Sequence, residues 1–240
     1  MSRMNKELLI SYSYHFNGDY NKIIYAINNK LSVPFYDIKN AITIYDPQYP
    51  KALYSLKYPP YVLYYKGDLK LLNKDSIGIV GSRKACEYAL KATKQLVLNN
   101  NDKVIISGLA KGIDAQAHKY ANKTIGILGC GIDYIYPYSN YDLINKVSID
   151  GLILSEYPSL TKPLAHHFPF RNRLIAALSD TLYIMQSSIR SGTMTTLNEA
   201  LDLGKDIKVL PYDIFNECGI HNNQLIYEGA QPITFKEIAF

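Results

Sequence analysis

The chain has 240 residues, 26 of them basic and 21 acidic, for a formal charge of +5. That length suits one α/β domain with a small appendage and supports a real core, and the mild positive balance is compatible with a nucleic-acid partner without requiring one. Three widely spaced cysteines (Cys86, Cys130, Cys218) exclude a disulfide framework and a clustered metal site, and no apolar run approaches the ~20 residues of a membrane span. Nothing at the amino end resembles a signal peptide, so a cytoplasmic protein without a membrane partner is expected.

Residues 1–40 differ from the rest. Leu8, Leu9, Tyr12, Ile23, Ile24, Ile27 and Leu31 suggest two short helices interrupted near Asn17-Gly18-Asp19, with Pro34 closing the segment. Forty residues make a poor core alone, so this segment is expected to pack on a main domain spanning 41–240. Asp46-Pro47, Tyr49-Pro50 and Tyr58-Pro59-Pro60 punctuate a lead-in, and 61–65 reads as a strand.

The centre of the chain is a βαβ unit. Ile77-Gly78-Ile79-Val80-Gly81-Ser82-Arg83 is a strand ending in a Gly loop. Cys86, Ala89, Leu90, Thr93, Leu96 and Val97 mark one apolar helix face, and Val104-Ile105-Ile106-Ser107-Gly108 is a second strand ending in another Gly loop. Two parallel strands joined by a right-handed crossover follow from this pattern. Further strands are expected at 124–129, 152–155, 182–185 and 207–210. Helices are expected through Leu143 and Val147, over Leu174, Ile175, Ala177 and Leu178, and from Ser191-Gly192-Thr193 to Gly204. A polar loop is expected to run to Arg173. The fold class is α/β: an extended Rossmann-like three-layer αβα arrangement with a mainly parallel sheet and a short helical N-terminal segment.

Ligands of such sheets bind beyond the carboxyl ends of the strands. Ser82, Arg83 and Lys111 fall there, and Ser191-Gly192-Thr193 opens a helix whose free N–H groups suit an anion. Only five basic residues are arginines, and Arg83, Arg171, Arg173 and Arg190 all fall in or beside these loops. An arginine where lysine is the habit suggests a forked contact with phosphate or carboxylate; for Arg173 an internal salt bridge explains it equally well. Phe168 and Phe170 interleave with His166, His167, Arg171 and Arg173, a pattern suited to stacked bases and neutralised phosphates of a single strand, although Phe168-Pro169 could instead anchor the loop. Asp114 and Asp133 follow glycines and could be general bases or could hold the Gly loops. His166-His167 lack a partner at ligand spacing, and no Walker lysine or nucleophile elbow is present, so neither metal nor cofactor is expected.

Several of these stretches resemble the DNA-processing protein A family, also called DprA or Smf. They are Ile79-Val80-Gly81-Ser82-Arg83, the 107–115 loop with Ala117-His118, Leu128-Gly129-Cys130-Gly131-Ile132-Asp133, Tyr136-Pro137, Leu154-Ser155-Glu156-Tyr157-Pro158, Phe168-Pro169-Phe170-Arg171-Asn172-Arg173, Ser191-Gly192-Thr193 with Thr195 and Thr196, and the late Asn223, Leu225, Ile226, Gly229 and Ala230. They keep the family's order over roughly 42–232. The resemblance implies a non-catalytic single-stranded-DNA-binding homodimer. It would protect incoming strands during natural transformation and load the RecA recombinase onto them. The resemblance also implies a pocket at the crevice in which Arg83 and Phe168 meet DNA. The chain departs from the family pattern at Ala165-His166, where a lysine is usual, at Gln186-Ser187, where a Glu-Ala pair is usual, and at Tyr212 in place of glycine. The rival reading is an enzyme similar to the lysine-decarboxylase-like phosphoribohydrolases, but aligning Gly192-Thr193 on their motif puts Thr196 where their catalytic Glu stands.

Overall fold

The structure is a computed structural model that describes residues 5–188 and 191–238. The strands are β1 (Ala41–Thr43), β2 (Val62–Gly67), β3 (Ser76–Gly81), β4 (Val104–Ser107), β5 (Thr124–Ile127), β6 (Leu152–Ser155), β7 (Thr181–Gln186), β8 (Asp206–Val209) and β9 (Gln231–Pro232). They form one sheet in the order β1-β2-β6-β5-β4-β3-β7-β8-β9. Pairing is parallel from β6 to β9, while β2 runs antiparallel to both β6 and β1.

Helices cover both faces, as a parallel sheet requires. Along β3 the side chains alternate. Ile77 and Ile79 pack with α3 (Glu87–Asn99) and α4 (Ile113–Tyr120) through Ala89, Leu96, Ile113 and Ala117. Val80 points to the other face, against α6 (His167–Leu178) and α7 (Gly192–Asp202), whose Leu174, Ala177, Leu197 and Ala200 complete the larger core. The helix α5 (Tyr141–Asp150) adds Ile144 and Val147 against Ile153. Each leucine or isoleucine buried this completely stabilises the fold by about 1.5–3 kcal/mol.

The amino-terminal helices α1 (Lys6–His15) and α2 (Tyr20–Asn29) break at Asn17-Gly18, as the sequence predicts. Asn5 caps α1 and Asp19 caps α2 with side-chain oxygens. Leu9 and Ile10 are buried against Ala41, Val62 and Tyr64, and the Tyr64 hydroxyl lies 3.0 Å from Ser13 Oγ, so the segment shares a core with the antiparallel edge of the sheet.

One expectation changes. The polar loop expected to run to Arg173 ends at His166, because α6 begins at His167 rather than near Leu174. Pro169 sits in its first turn, where a missing N–H is free of cost, so the proline that reads as a loop signal is compatible with helix. The edge strands β1 and β9 span three and two residues and are too short to leave a periodic signal.

Candidate nucleic-acid interface

The strand succession reverses at β3, which has β4 on one side and β7 on the other. Ligands of open α/β sheets bind at such a switch point. A crevice of about 700 Å³ lies there, lined by Gly81 at the end of β3 and Ser82 and Arg83 after it, by Ser188 after β7, and by the starts of α6 and α7. Arg83 is exposed, and its guanidinium has no carboxylate partner among the described residues. Its Cζ lies 5.5 Å from the centroid of the half-buried Phe168 ring. Phe168 in turn sits 5.4 Å from the Tyr136 ring and packs so closely over Gly129 that a Cβ there would meet Phe168 Cδ1 at 2.8 Å. Gly129 is therefore what seats the ring at the rim of the crevice. Exposed Lys111 joins Arg83 and Phe168 around a small side pocket of about 70 Å³.

Across the same crevice, Ser191 occupies the N-cap position of α7 without a side-chain cap bond, and its buried Oγ has no hydrogen-bond partner among the described residues. Gly192 is exposed and Thr193 buried behind it. Asn172 Nδ2 donates to the Gly192 carbonyl at 2.9 Å, which fixes α7 against α6. The amides at the positive end of this 11-residue helix are a natural seat for a phosphate oxygen.

Arg171 lies beneath this surface rather than on it. It is 3% exposed, donates to the Ile127 carbonyl and covers Gly108. Burial pulls its guanidinium down to about 10. Burial likewise pushes the Asp114 carboxyl up, against the pull of Arg171 and of the Ala110 and Gly108 amides, which donate to Asp114 Oδ2 at 3.4 and 3.1 Å. Asp114 thus holds the Gly loop. Asp133 is paired with Lys66 at 2.8 Å. The two acids that could have been general bases are both committed.

Arg173 is absent from the crevice. It is 2% exposed and bound to both carboxylate oxygens of Glu156 at 2.6 and 2.5 Å. It also donates to the Tyr58 and Phe170 carbonyls, and its Cζ lies 3.7 Å from the Phe170 ring. Glu156 holds this guanidinium above its ordinary value despite the burial. The internal salt bridge is the reading that the structure supports. The physical reason is α6: at 100° per residue, Phe168 and Phe170 diverge, and Arg171 follows the first while Arg173 follows the second. Arg190 falls outside the described residues. Tyr136 and Asn172 also line the crevice; in the sequence they stand only within the motifs of the resemblance, with no role assigned to either.

His166 and His167 lie outside any group of three or more ligating side chains that could hold a metal among the described residues. No helix among them is long and apolar enough to cross a membrane.

The sequence model of a family described as DNA recombination-mediator protein A matches residues 40–239. DNA processing protein DprA of Streptococcus pneumoniae is 37% identical over 199 residues, 81% of this chain and 71% of that protein. DNA processing protein DprA of Bacillus subtilis is 38% identical over 208 residues, 84% of this chain and 70% of that protein. The crystal structure of the Streptococcus pneumoniae protein superposes with a TM-score of 0.82 at 29% identity, covering all of both chains. A structure of DNA processing protein A from Helicobacter pylori, described for its mode of binding single-stranded DNA, superposes with a TM-score of 0.74 at 38% identity over 80% of this chain and 90% of that one. Sequence and fold agree over most of its length: the chain belongs to the DNA recombination-mediator protein A family.

Proposed function

We propose that this chain binds single-stranded DNA in the switch-point crevice without catalysing a reaction on it. The observation that carries the reading is the juxtaposition of exposed Arg83, without a carboxylate partner among the described residues, with the half-exposed Phe168 ring, in one crevice with the start of α7. One cation, one stacking face and one helix terminus suit successive phosphates and a base of a flexible strand. The Helicobacter pylori relative, described for single-stranded DNA binding, supports the same ligand class. Ser82, Arg83, Lys111, Phe168, Ser191, Gly192 and Thr193 are the proposed contacts, with Arg171 adding positive potential from below. Arg173 contributes to the fold instead.

Thr196 is 1% exposed, without an acid at the position that a phosphoribohydrolase would need, and Asp114 is occupied by amides; both favour binding over turnover. We further infer from family membership that residues 41–240 form the binding domain, with 1–40 as an appended segment. On the same ground the chain forms a homodimer in the cytoplasm and hands protected strands to a RecA-type recombinase during natural transformation. A gel shift with an unstructured pyrimidine oligonucleotide and a duplex of equal length, at two salt concentrations, tests the central claim: the single strand binds more tightly and loses affinity with salt. Equal affinity for the two forms would sink it.

A further inference from the structure

A second hollow, about 1020 Å³, opens between the amino-terminal helices and residues 157–170. It lies back to back with the crevice. Pro163, Ala165 and Phe168 line the crevice, whereas Lys162, Leu164 and His166 line this groove, so one short run of chain is the wall between them. The same helical divergence that sends Phe168 to the crevice sends Phe170 to the groove, above the Arg173–Glu156 pair.

Both sides of the groove are fixed. Gly18, at φ +74°, sits so close to Glu156 that a Cβ would meet its carbonyl oxygen at 2.5 Å, which seats the α1–α2 turn directly on the backbone after β6. On the other side, Gly131, Ile132 and Asp133 donate backbone hydrogen bonds to Thr161, Tyr157 and Ser159 at 2.8, 3.1 and 3.0 Å. A cavity with set walls needs little ordering to bind.

Its surface is aromatic, and Lys162 is the lysine at its rim without a carboxylate partner among the described residues. Tyr14, Phe16, Tyr20, Tyr58 and Phe170 present rings, and Tyr58 is 42% exposed. Lys22 and Lys162 are exposed at the rim. Asp19 also lines the groove; its carboxylate accepts the Lys22 amide as the α2 cap and lies 3.8 Å from the Lys22 ammonium, so these two charges offset each other. His167 is 6% exposed and stacks on Tyr157 at 3.9 Å; its Nδ1 has no partner among the described residues. Burial and neighbouring His166 pull the ring down to about 4, so it forms a neutral part of the groove's floor.

We propose that this groove is a second subsite for the single strand, taking unstacked nucleobases of a strand whose neighbouring nucleotides occupy the crevice. The strand crosses the wall at 163–167, bases entering between the rings and a phosphate meeting Lys162. Duplex DNA, with its bases already stacked and paired, has nothing to offer these rings. The proposal rests on the crevice reading above, and the test separates the two.

Fluorescence anisotropy with thymidine oligonucleotides of roughly 5 and roughly 20 nucleotides, bracketing one binding site, is measured for wild type, Arg83→Ala, Tyr58→Ala and Tyr58→Trp. Tyr58 gives only its backbone carbonyl to Arg173, so that bond survives substitution. Tyr58→Ala is expected to weaken the long oligonucleotide about tenfold and leave the short one unchanged; Tyr58→Trp restores the long one. If Arg83→Ala weakens both lengths and Tyr58→Ala neither, the groove assignment is wrong while the crevice stands. Wild-type indifference to Arg83→Ala breaks the crevice reading first. Independently of variants, wild type irradiated with an oligonucleotide carrying 4-thiothymidine is expected to crosslink to Tyr58 or to residues 14–22. Crosslinks confined to crevice residues overturn the proposal and leave the groove to some other occupant, such as a protein segment.

Discussion

Arg83 is the residue on which the crevice turns. It follows a strand-ending glycine at the switch point, so its side chain enters the crevice with no backbone of its own in the way, and it stands against a ring instead of a carboxylate. A planar fork there can hold one phosphate in fixed register, which a lysine cannot copy. Arg83→Ala is therefore expected to weaken single-strand binding and to lower the salt slope by ~0.7, one phosphate contact. Arg83→Lys returns the slope but only part of the affinity. Because the side chain is exposed, thermal stability should hold in both; a variant that binds like wild type removes Arg83 from the site. Phe168 makes the complementary case. Its ring is half-buried over Gly129 and beside Tyr136, so it both packs and offers a face. Phe168→Ala should cost ~1–3 kcal/mol of single-strand affinity if the exposed face stacks on a base. Binding isotherms and melting curves taken together decide it: a lower melting temperature with unchanged affinity assigns the ring to packing alone.

Helix α6 is the element that divides the molecule's chemistry. In the sequence its first turns look like one mixed loop of aromatic and basic residues, and the crevice itself was legible: the paired Gly loops, Arg83 and the Ser191 helix start all fall where the strand–helix alternation puts them. What was illegible was direction. Pro169 masks the helix start, and without the helical period the four side chains from Phe168 to Arg173 cannot be sorted between two hollows. Tyrosines such as Tyr136 and Tyr58 were likewise visible but ambiguous, because a ring that packs and a ring that waits for a base have the same sequence signature. The sorting has an energetic consequence. Arg173 and Glu156 are both nearly excluded from water, so each charge depends on the other. Glu156→Gln should destabilise the fold by about 3–5 kcal/mol, because it leaves a buried guanidinium without its counter-charge. Urea unfolding measures this directly. A variant that unfolds at the wild-type midpoint would mean that the pair is dispensable and that Arg173 can serve elsewhere.

Across the whole molecule, the acid sensitivity of the fold traces to the buried layer under the crevice. His118 on α4 is 1% exposed, with Nδ1 2.6 Å from Thr124 Oγ1, and burial together with the nearby Arg171 charge pulls its ring down to about 3. An unfolded histidine titrates near ~6.5. Between those values the unfolded chain carries the proton and the folded one does not, so stability falls as pH falls, by up to about 1.4 kcal/mol per pH unit, and stops falling from this cause once the folded ring also protonates near 3. Two groups nearby act alongside it. His167 is also depressed, to about 4, and adds loss in the same direction. Asp114 is raised, which adds stability as pH falls and opposes it. Glu237, held at about 2 despite burial by Lys208 and by Thr234 and Tyr183, adds its loss only below its unfolded value, near 4.5. The decline should therefore begin near pH 6.5, well above the carboxylate range. Chemical denaturation at pH 7, 5.5 and 4.5 on wild type and His118→Gln isolates the His118 share, because His167, Asp114 and Glu237 are common to both. The variant is expected to lose distinctly less stability over that interval, whatever its stability at pH 7. Parallel curves would show that His118 takes up its proton in the folded protein, and that the layer between β4, β5 and α4 is wetter than its packing implies.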